Sequence, residues 1–327
     1  MREKWLRVGA EIKLDIDDVT RLVQAGLPEA KVARHQPALG GRSNTNIVVE
    51  LAGPPHRVVL RLYQRDPSQA RKEAALDKLL VERKAPVAPM LYFDDTNPVS
   101  GHPYALITWV DGHRLESVER DLGPAGLGQL APSIGKAMAT IHSLTFPHTG
   151  FFGDDLRIPE KADMGRAGLL AYLKRCLVDG PGGKRLGQKT TTELIAFVER
   201  EGNRLDAWLK KPCLTHADFN GSNILVRKDK NGVWGLAAVI DWEFAFSGSP
   251  AFDFGNLLRP PLDRTSGFAD TLASEYLKAG GTLPEEWRRI ARIADLYSWA
   301  DFLGRPDPGT AVIADARRMI EATIATG

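Results

Sequence analysis

The sequence is poor in cysteine, in net charge and in long apolar runs, and each shortage excludes a class of protein. Its 327 residues contain two cysteines, Cys176 and Cys213. They lie far apart and form no C-x-x-C pair, so the sequence supports neither a disulfide framework nor a thiolate metal site. We therefore expect a protein of a reducing compartment.

Neither charge nor hydropathy indicates a large polyanionic or lipid partner. The 43 lysines and arginines nearly balance the 41 aspartates and glutamates, which leaves a net charge of +2. This balance gives no support for a nucleic acid or a membrane surface as partner. No segment approaches the roughly 18 apolar residues of a membrane span, and the first residues lack the apolar core of a signal peptide. We expect a cytoplasmic protein that binds neither nucleic acid nor membrane.

Short runs rich in Val, Ile and Leu, separated by glycine and proline, dominate the first third of the chain. Their pattern predicts antiparallel strands, and the amphipathic stretches around them predict two helices. The predicted strands are residues 32–39, 46–51, 57–63, 92–93 and 104–110, and the predicted helices are residues 15–25 and 68–84. Since the chain is too long for one small core, we assign residues 1–110 to a separate N-terminal lobe.

Helical periods replace this pattern in the rest of the chain, which we assign to a C-terminal lobe of residues 111–327. The predicted helices are residues 125–143, 164–178, 190–209, 268–279, 285–303 and 310–325. Two strand-like runs, 224–227 and 236–240, flank Asp229–Gly232, a sequence typical of a hairpin turn. The predicted fold class is α+β, with an antiparallel sheet in the first lobe and mostly helices in the second.

Short polar side chains gather around this hairpin. A tight hairpin brings Asn223, just before its first strand, close to Asp241, at the end of its second. An amide oxygen and a carboxylate suit Mg²⁺, which prefers oxygen ligands and keeps several waters. Asp218 lies five positions before Asn223, where a carboxylate can accept a proton from an attacking hydroxyl. The arrangement is that of phosphoryl transfer, although His216 and Asp218 alone would also fit a capped turn before a strand.

These motifs resemble the aminoglycoside phosphotransferase and choline kinase group, which shares the protein-kinase-like fold. Residues 216–223, His-Ala-Asp-Phe-Asn-Gly-Ser-Asn, match its H-x-D-x-x-x-x-N catalytic loop, and Asp241 matches its metal-binding aspartate. The resemblance implies that Asp218 is the catalytic base, that Asn223 and Asp241 bind Mg²⁺ and that His216 braces the loop. It also implies a bracing role for Asp253, which lies in an apolar segment where an unpaired carboxylate would be costly.

The same resemblance implies a nucleotide, ATP or GTP, on the N-terminal lobe. Residues 39–46 resemble the phosphate-covering hairpin, with Gly40, Gly41, Ser43 and Asn44 as its contacts, although a Gly-rich stretch between strands is often only a turn. Residues 104–112 resemble the connector between lobes, where the main chain of Thr108 and Val110 would bind the base. Read without the resemblance, this connector is a buried edge strand and a turn.

Arg61 stands where the resembling proteins usually carry the lysine that contacts the phosphates, and Glu73 stands where its ion-pair partner lies. Arginine also binds phosphate oxygens, but its planar fork is not equivalent to an ammonium group. The competing interpretation is that Arg61 and Glu73 form an exposed surface pair that contributes little to stability. The substitution raises a second hypothesis for the whole chain, a nucleotide-binding scaffold that has lost catalysis.

The acceptor is not specified by the sequence. Trp287, Tyr297, Trp299 and Phe302 could box a quaternary ammonium group or could simply pack the C-terminal helices, and packing is the favoured interpretation. Residues 182–190 come within one position of a phosphate-binding P-loop but follow no strand, so we interpret them as a flexible loop. The segment after Asp241 reaches Pro250–Asp253 within ten residues, which leaves no room for the long activation segment of a protein kinase. We therefore predict an ATP-dependent kinase for a hydroxyl of an antibiotic, amino alcohol or sugar, of unknown oligomeric state.

Overall fold

A five-stranded antiparallel sheet forms the N-terminal lobe. The computed structural model describes residues 12–38, 44–64, 66–97 and 99–326. The strands are β1 (Val32–Pro37), β2 (Thr45–Leu51), β3 (Arg57–Leu62), β4 (Met90–Asp94) and β5 (Tyr104–Thr108), in the spatial order β1-β2-β3-β5-β4. Every neighbouring pair is antiparallel. The strands predicted for this lobe are confirmed, with ends shifted by a few residues.

Helix α1 (Ile16–Gly26) covers one face of this sheet. It begins at Asp15, whose Oδ1 accepts a hydrogen bond of 2.8 Å from the Asp18 N–H and so caps the first turn. Its apolar face is fully buried against side chains of the three central strands, because period-two alternation puts their branched residues on one side. The cluster comprises Val19, Leu22, Val23, Ile47, Val49, Leu51, Val58, Leu60, Leu62, Tyr104 and Leu106.

Helix α2 (Gln69–Glu82) packs against both lobes rather than against the sheet alone. Ala70 contacts Tyr63 and Ala105 on the second face of the sheet. Leu76 and Leu80, both fully buried, belong instead to the core of the C-terminal lobe. The helix predicted at residues 68–84 is thus confirmed, and it contributes side chains to both cores.

The C-terminal lobe is mostly helical, as predicted. Its helices are α3 (Leu115–His142), α4 (Arg166–Leu173), α5 (Gly182–Leu186), α6 (Gln188–Glu201), α7 (Arg204–Ala207), α8 (Pro250–Leu257), α9 (Phe268–Lys278), α10 (Trp287–Gly304) and α11 (Thr310–Ile324). A π-helical turn, Lys174–Val178, extends α4, and α3 kinks at Gly123, whose φ of 58° and ψ of −178° are not helical. The flexible loop expected at residues 182–190 was wrong, because α5 and the start of α6 occupy it.

Two small sheets hold the loops of this lobe. The strands are β6 (His113–Arg114), β7 (Gly150–Phe151), β8 (Cys213–Thr215), β9 (Ile224–Lys228), β10 (Trp234–Val239) and β11 (Phe246–Gly248). They form the sheets β10-β9-β6 and β7-β11-β8. The predicted hairpin is confirmed as β9 and β10, which pair Ile224 with Val239. The α+β fold class with a sheet lobe and a helical lobe is confirmed, whereas the boundary after residue 110 stays a prediction.

Among the helices that the structure describes, none combines the length and apolar character needed to cross a membrane.

Candidate active site

Asp218 lies in the loop between β8 and β9, and Asn223 holds it from the end of that loop. The Asn223 Nδ2 donates to Asp218 Oδ2 at 2.8 Å and to the Asp218 carbonyl at 3.0 Å. Because the amide nitrogen faces Asp218, any metal contact of Asn223 would have to use the amide oxygen. The loop thus brings into contact Asp218 and Asn223, the two residues that the sequence motif singled out.

The Asn220 amide also binds the Asp218 carboxylate, a contact that sequence reasoning missed. Its Nδ2 donates to Asp218 Oδ1 at 2.5 Å, while Asn220 itself is 7% exposed. The two oxygens of Asp218 are therefore each bound by a different amide. Hydrogen bonds to an ionised group are stronger than neutral ones, so this pair of contacts fixes the carboxylate.

His216 ties the loop to the end of β10. Its Nδ1 accepts a hydrogen bond of 3.2 Å from the Asp218 N–H, so the ring proton belongs on Nε2, which donates to the Ile240 carbonyl at 3.1 Å. The side chain is fully buried and tilted against the Trp242 ring, with centroids 4.6 Å apart. The structure thus places His216 between the two segments that carry the candidate site.

Asp253 lies on α8 beneath this loop, fully buried. Its two carboxylate oxygens accept hydrogen bonds of 2.9 Å from the main-chain N–H groups of His216 and Ala217. Ala217 has a φ of 64°, a left-handed conformation that is unfavourable for alanine and that these contacts hold in place. On its other side Asp253 meets the imidazole of His142 at 3.1 Å, and that ring reaches Tyr276 Oη at 3.1 Å. His142, the last residue of α3, thus belongs to a buried hydrogen-bonded chain that ends at the loop.

Asp241 follows β10 directly and lies across the hairpin from Asn223. The Ile240 N–H donates to the Asn223 carbonyl at 2.9 Å, which fixes the two segments side by side. The Asp241 carboxylate contacts the Arg61 guanidinium, Oδ1 to Nη2, at 2.8 Å. Burial raises the pKa of Asp241, but the charge and hydrogen bond of Arg61 outweigh burial, and the pKa lies below its usual value. The carboxylate is therefore ionised at neutral pH.

Arg61 and Glu73 are a buried pair, which excludes the interpretation as an exposed surface pair. Each is 7% exposed, and Arg61 Nη2 lies 3.4 Å from Glu73 Oε1. Burial raises the pKa of Glu73, and the charge of Arg61 opposes this effect. The Tyr63 hydroxyl donates to Glu73 Oε2 at 3.3 Å. Arg61 thus joins a carboxylate of the sheet lobe to Asp241 of the helical lobe.

Glu243, two residues after Asp241, receives further contacts from the N-terminal lobe that sequence reasoning missed. The Lys72 ammonium donates to the Glu243 carbonyl at 2.6 Å, and the Asn44 amide donates to its carboxylate at 3.3 Å. Burial lowers the pKa of Lys72, while Glu73 and Glu243 oppose the shift. The sequence feature that could have indicated this contact is the position of Lys72, which is adjacent to Glu73 on α2.

Of the other residues predicted to bind the nucleotide, the structure supports that role for some and not for others. Asn44 also accepts a hydrogen bond of 3.1 Å from the Gln64 N–H, whereas Gly40, Gly41 and Ser43 lie outside the described residues. The Thr108 N–H donates to the Pro89 carbonyl at 2.8 Å and is therefore not a donor to a base. Within the described part of the chain, no main-chain hydrogen bond uses the Val110 N–H, so Val110 keeps that role as a candidate.

Two further clusters bear on metals and acceptors. In the described ranges, no group of three or more His, Cys, Asp or Glu side chains could hold a metal ion, a finding that does not address a pair made of Asn223 and Asp241. The suspected aromatic box is core: the Arg259 guanidinium carbon lies 4.4 Å from the Trp299 ring centroid and 5.8 Å from that of Phe302. These rings already face a cation of the protein itself.

A sheet lobe on a helical lobe, with an H-x-D-x-x-x-x-N loop and an aspartate at the end of the next hairpin, defines the protein-kinase-like fold. The chain belongs to the phosphotransferase enzyme family, whose model matches residues 34–293. Membership indicates a small-molecule phosphotransferase. No curated protein sequence matches the chain.

Solved structures of similar fold include enzymes with different named substrates. A variant of the aminoglycoside 2′-phosphotransferase-IIIa, in a GDP complex, is 16% identical, with a TM-score of 0.71 and coverage of 95% of this chain and 98% of that one. The Plasmodium vivax ethanolamine kinase is 14% identical, with a TM-score of 0.63 and coverage of 98% and 91%. The Streptococcus pneumoniae choline kinase is 12% identical, with a TM-score of 0.61 and coverage of 95% and 99%. Identities this low show a shared fold and nothing finer.

Proposed function

We propose that the protein transfers the γ-phosphate of ATP to a hydroxyl of a small molecule, with Asp218 as the base. The observation that carries this proposal is the fixed Asp218 carboxylate, which an Asn223 amide contacts at 2.8 Å. Asn223 in turn lies beside Asp241 across the hairpin. An ionised carboxylate offers about four acceptor positions, so two amide contacts are compatible with a third donor, the hydroxyl of the acceptor.

Asn223 and Asp241 fit a Mg²⁺ ion by their chemistry. Both offer oxygen, and Asp241 is ionised because the charge of Arg61 keeps its pKa low. Bound there, Mg²⁺ would neutralise charge on the transferred phosphoryl group. Arg61 supplies a second positive charge at the same place and can bind phosphate oxygens in a bidentate manner.

These positions indicate which lobe binds the nucleotide and which binds the acceptor. We assign the nucleotide to residues 1–110, with Arg61, Glu73, Asn44 and the Val110 main chain near it, and the acceptor to residues 111–327. A structural relative binds GDP, so GTP must be compared with ATP as the donor. The names of the structural relatives include aminoglycosides, ethanolamine, choline and fructosamine, so we place the acceptor among antibiotics, amino alcohols and sugars.

The test is release of ADP or GDP, with Mg²⁺, from ATP or GTP in the presence of kanamycin, spectinomycin, choline, ethanolamine and ribose in turn. Asp218→Ala should lower turnover with the best acceptor about 10²- to 10⁴-fold, because that is the range for removal of a general base. Binding of the nucleotide should change less than about threefold, since the base does not contact the phosphates in this assignment.

Asp17→Ala is the matched control, because Asp17 is an exposed aspartate on α1. It should retain wild-type turnover. Full turnover in Asp218→Ala would exclude the assignment of the base. A wild-type protein that binds MgATP but transfers phosphate to none of these acceptors would instead favour the scaffold hypothesis.

A further inference from the structure

We propose that Asn220 is a positioning residue for the phosphoryl transfer, which sets the orientation of the Asp218 carboxylate. This inference rests on the function proposed above. Asn220 is 7% exposed, and its Nδ2 donates both to Asp218 Oδ1 at 2.5 Å and to the Asp218 carbonyl at 2.9 Å. The contact is therefore to the base itself, and it is made by a buried side chain.

The direction of the Asn220 amide is determined by its other end. Its Oδ1 accepts hydrogen bonds from the Ser222 N–H at 3.1 Å and from the Ser222 hydroxyl at 2.6 Å. A main-chain N–H can only donate, so the amide oxygen must face Ser222 and the nitrogen must face Asp218. A flipped amide would place two donors together at Ser222 and two acceptors together at Asp218.

Asn220 and Asn223 act on different oxygens of the same carboxylate. Asn223 Nδ2 binds Oδ2 at 2.8 Å, and Asn220 Nδ2 binds Oδ1. Either contact alone would let the carboxylate rotate about the bond that carries it, whereas both together fix its plane. A base whose plane is fixed presents the same lone pair to the hydroxyl in every encounter, and misplacement by about 1 Å can cost 10²-fold in rate.

The competing interpretation is that Asn220 only builds the turn, since asparagine often accepts a hydrogen bond from the N–H two residues on. The two interpretations differ in which end of the amide matters. The turn uses the oxygen, which faces Ser222, and positioning of the base uses the nitrogen, which faces Asp218.

Asn220→Asp separates these interpretations. The variant has the same shape and keeps an oxygen for Ser222, but it replaces the donor to Asp218 by a like charge. We expect kcat with MgATP and the best acceptor of the panel to fall about 10- to 100-fold. The KM for MgATP should stay within about threefold of the wild-type value, because Asn220 orients the base without holding the nucleotide.

Asn97→Asp is the matched control. Asn97 is also a buried asparagine, and its Oδ1 accepts hydrogen bonds from the Val99 N–H at 2.8 Å and the Ser100 N–H at 3.2 Å. We expect its kcat to stay within about threefold of wild type, since the same substitution is made in a turn outside the catalytic loop.

Wild-type kcat in Asn220→Asp would overturn the inference, as would an equal loss of kcat in Asn97→Asp. If Asn220→Asp does not fold, Asn220→Ala is compared with Asn97→Ala at a temperature where both are folded, and a selective loss of kcat in the former supports the inference. Failure of the proposed function has a different signature, because Asp218→Ala would then keep its turnover. The inference alone fails when Asp218→Ala is inactive and both Asn220 variants are fully active.

Discussion

The side chains that sequence predicted best are those joined by local structure. Asp218 and Asn223 share one loop, and the hairpin that follows brings Asp241 beside Asn223. Spacing along the chain is enough to place such residues, because a tight hairpin has few geometries. Spacing along the chain does not predict contacts between the lobes, because the residues involved are far apart in sequence. Lys72 and Glu243, for example, are 171 positions apart. A pattern of apolar residues cannot give the register of one lobe on another.

The ion pair of Arg61 and Asp241 predicts a pH dependence of stability. The pKa of Asp241 is lowered in the folded protein, so its ionised form stabilises the fold above the ordinary pKa near 4. This contribution disappears as pH falls through the lowered value. Asp241→Asn should therefore be less stable than wild type at pH 7, and the difference in free energy of unfolding should shrink as pH falls from about 5 to about 3.

Urea unfolding at several pH values measures that difference, with Asp307→Asn, an exposed aspartate outside the helices, as the control. We expect no pH-dependent difference for the control. A gap between Asp241→Asn and wild type that is constant down to pH 3 would mean that the charge on Asp241 does not stabilise the fold.

At the scale of elements, the sequence predicted helices that have one apolar face, but it did not predict α8, which is fully buried. All eight residues of α8 are buried, so its sequence, Pro250–Leu257, has no polar face and no visible period. Helix α5 was missed for a different reason, because residues 182–190 follow no strand and were therefore interpreted as a flexible loop. Tertiary contacts hold this short helix, among them those of the fully buried Leu186 and the hydrogen bonds of Arg185.

Arg185 on α5 caps the end of α10, which predicts a loss of stability on its removal. Its guanidinium donates to the carbonyls of Leu303 at 2.6 Å, of Pro306 at 2.7 Å and of Arg305. Leu303 lies in the last turn of α10, where the main-chain carbonyls lack helical partners, and Arg305 and Pro306 follow that turn directly. Arg185→Ala should lower the free energy of unfolding by about 1.5–3 kcal/mol, as for hydrogen bonds to charged groups.

Arg185→Lys is the informative comparison for this prediction. Lysine keeps the charge but cannot span three carbonyls with a planar fork, so its stability in urea should lie between those of Ala and wild type. Equal stability of all three proteins would show that the cap is energetically irrelevant.

At the scale of the whole molecule, the predicted division into a sheet lobe and a helical lobe is the firmest part of the sequence reading. It rests on a change of period from two to 3.6 residues, which needs no tertiary information. What the period could not show is that α2 belongs to both cores, through Ala70 on one side and Leu76 and Leu80 on the other. An amphipathic helix reveals that it has a buried face, but not which lobe covers it.

The two cysteines report on the integrity of the C-terminal lobe. Both are buried, and burial raises the pKa of each thiol above its usual range. Because the thiolate is the reactive form, neither should react readily in the native protein. We expect labelling with a chromogenic disulfide reagent at pH 8 to be at least about 100-fold slower in the native state than in denaturant, where both thiols react.

Rapid native labelling of either thiol would show that the lobe opens locally far more often than its packing indicates. The site of labelling, read by mass spectrometry, would identify the segment that opens.

One short segment of the chain carries both the candidate metal ligand and the polar contacts between the lobes. Arg61 reaches it at Asp241, and Lys72 and Asn44 reach it at Glu243. In the proposed function, a cation bound at Asp241 competes with the Arg61 contact between the lobes, so cation binding and that contact are thermodynamically linked. The linkage is reciprocal: a change in the contact between the lobes alters the affinity for the cation by the same factor.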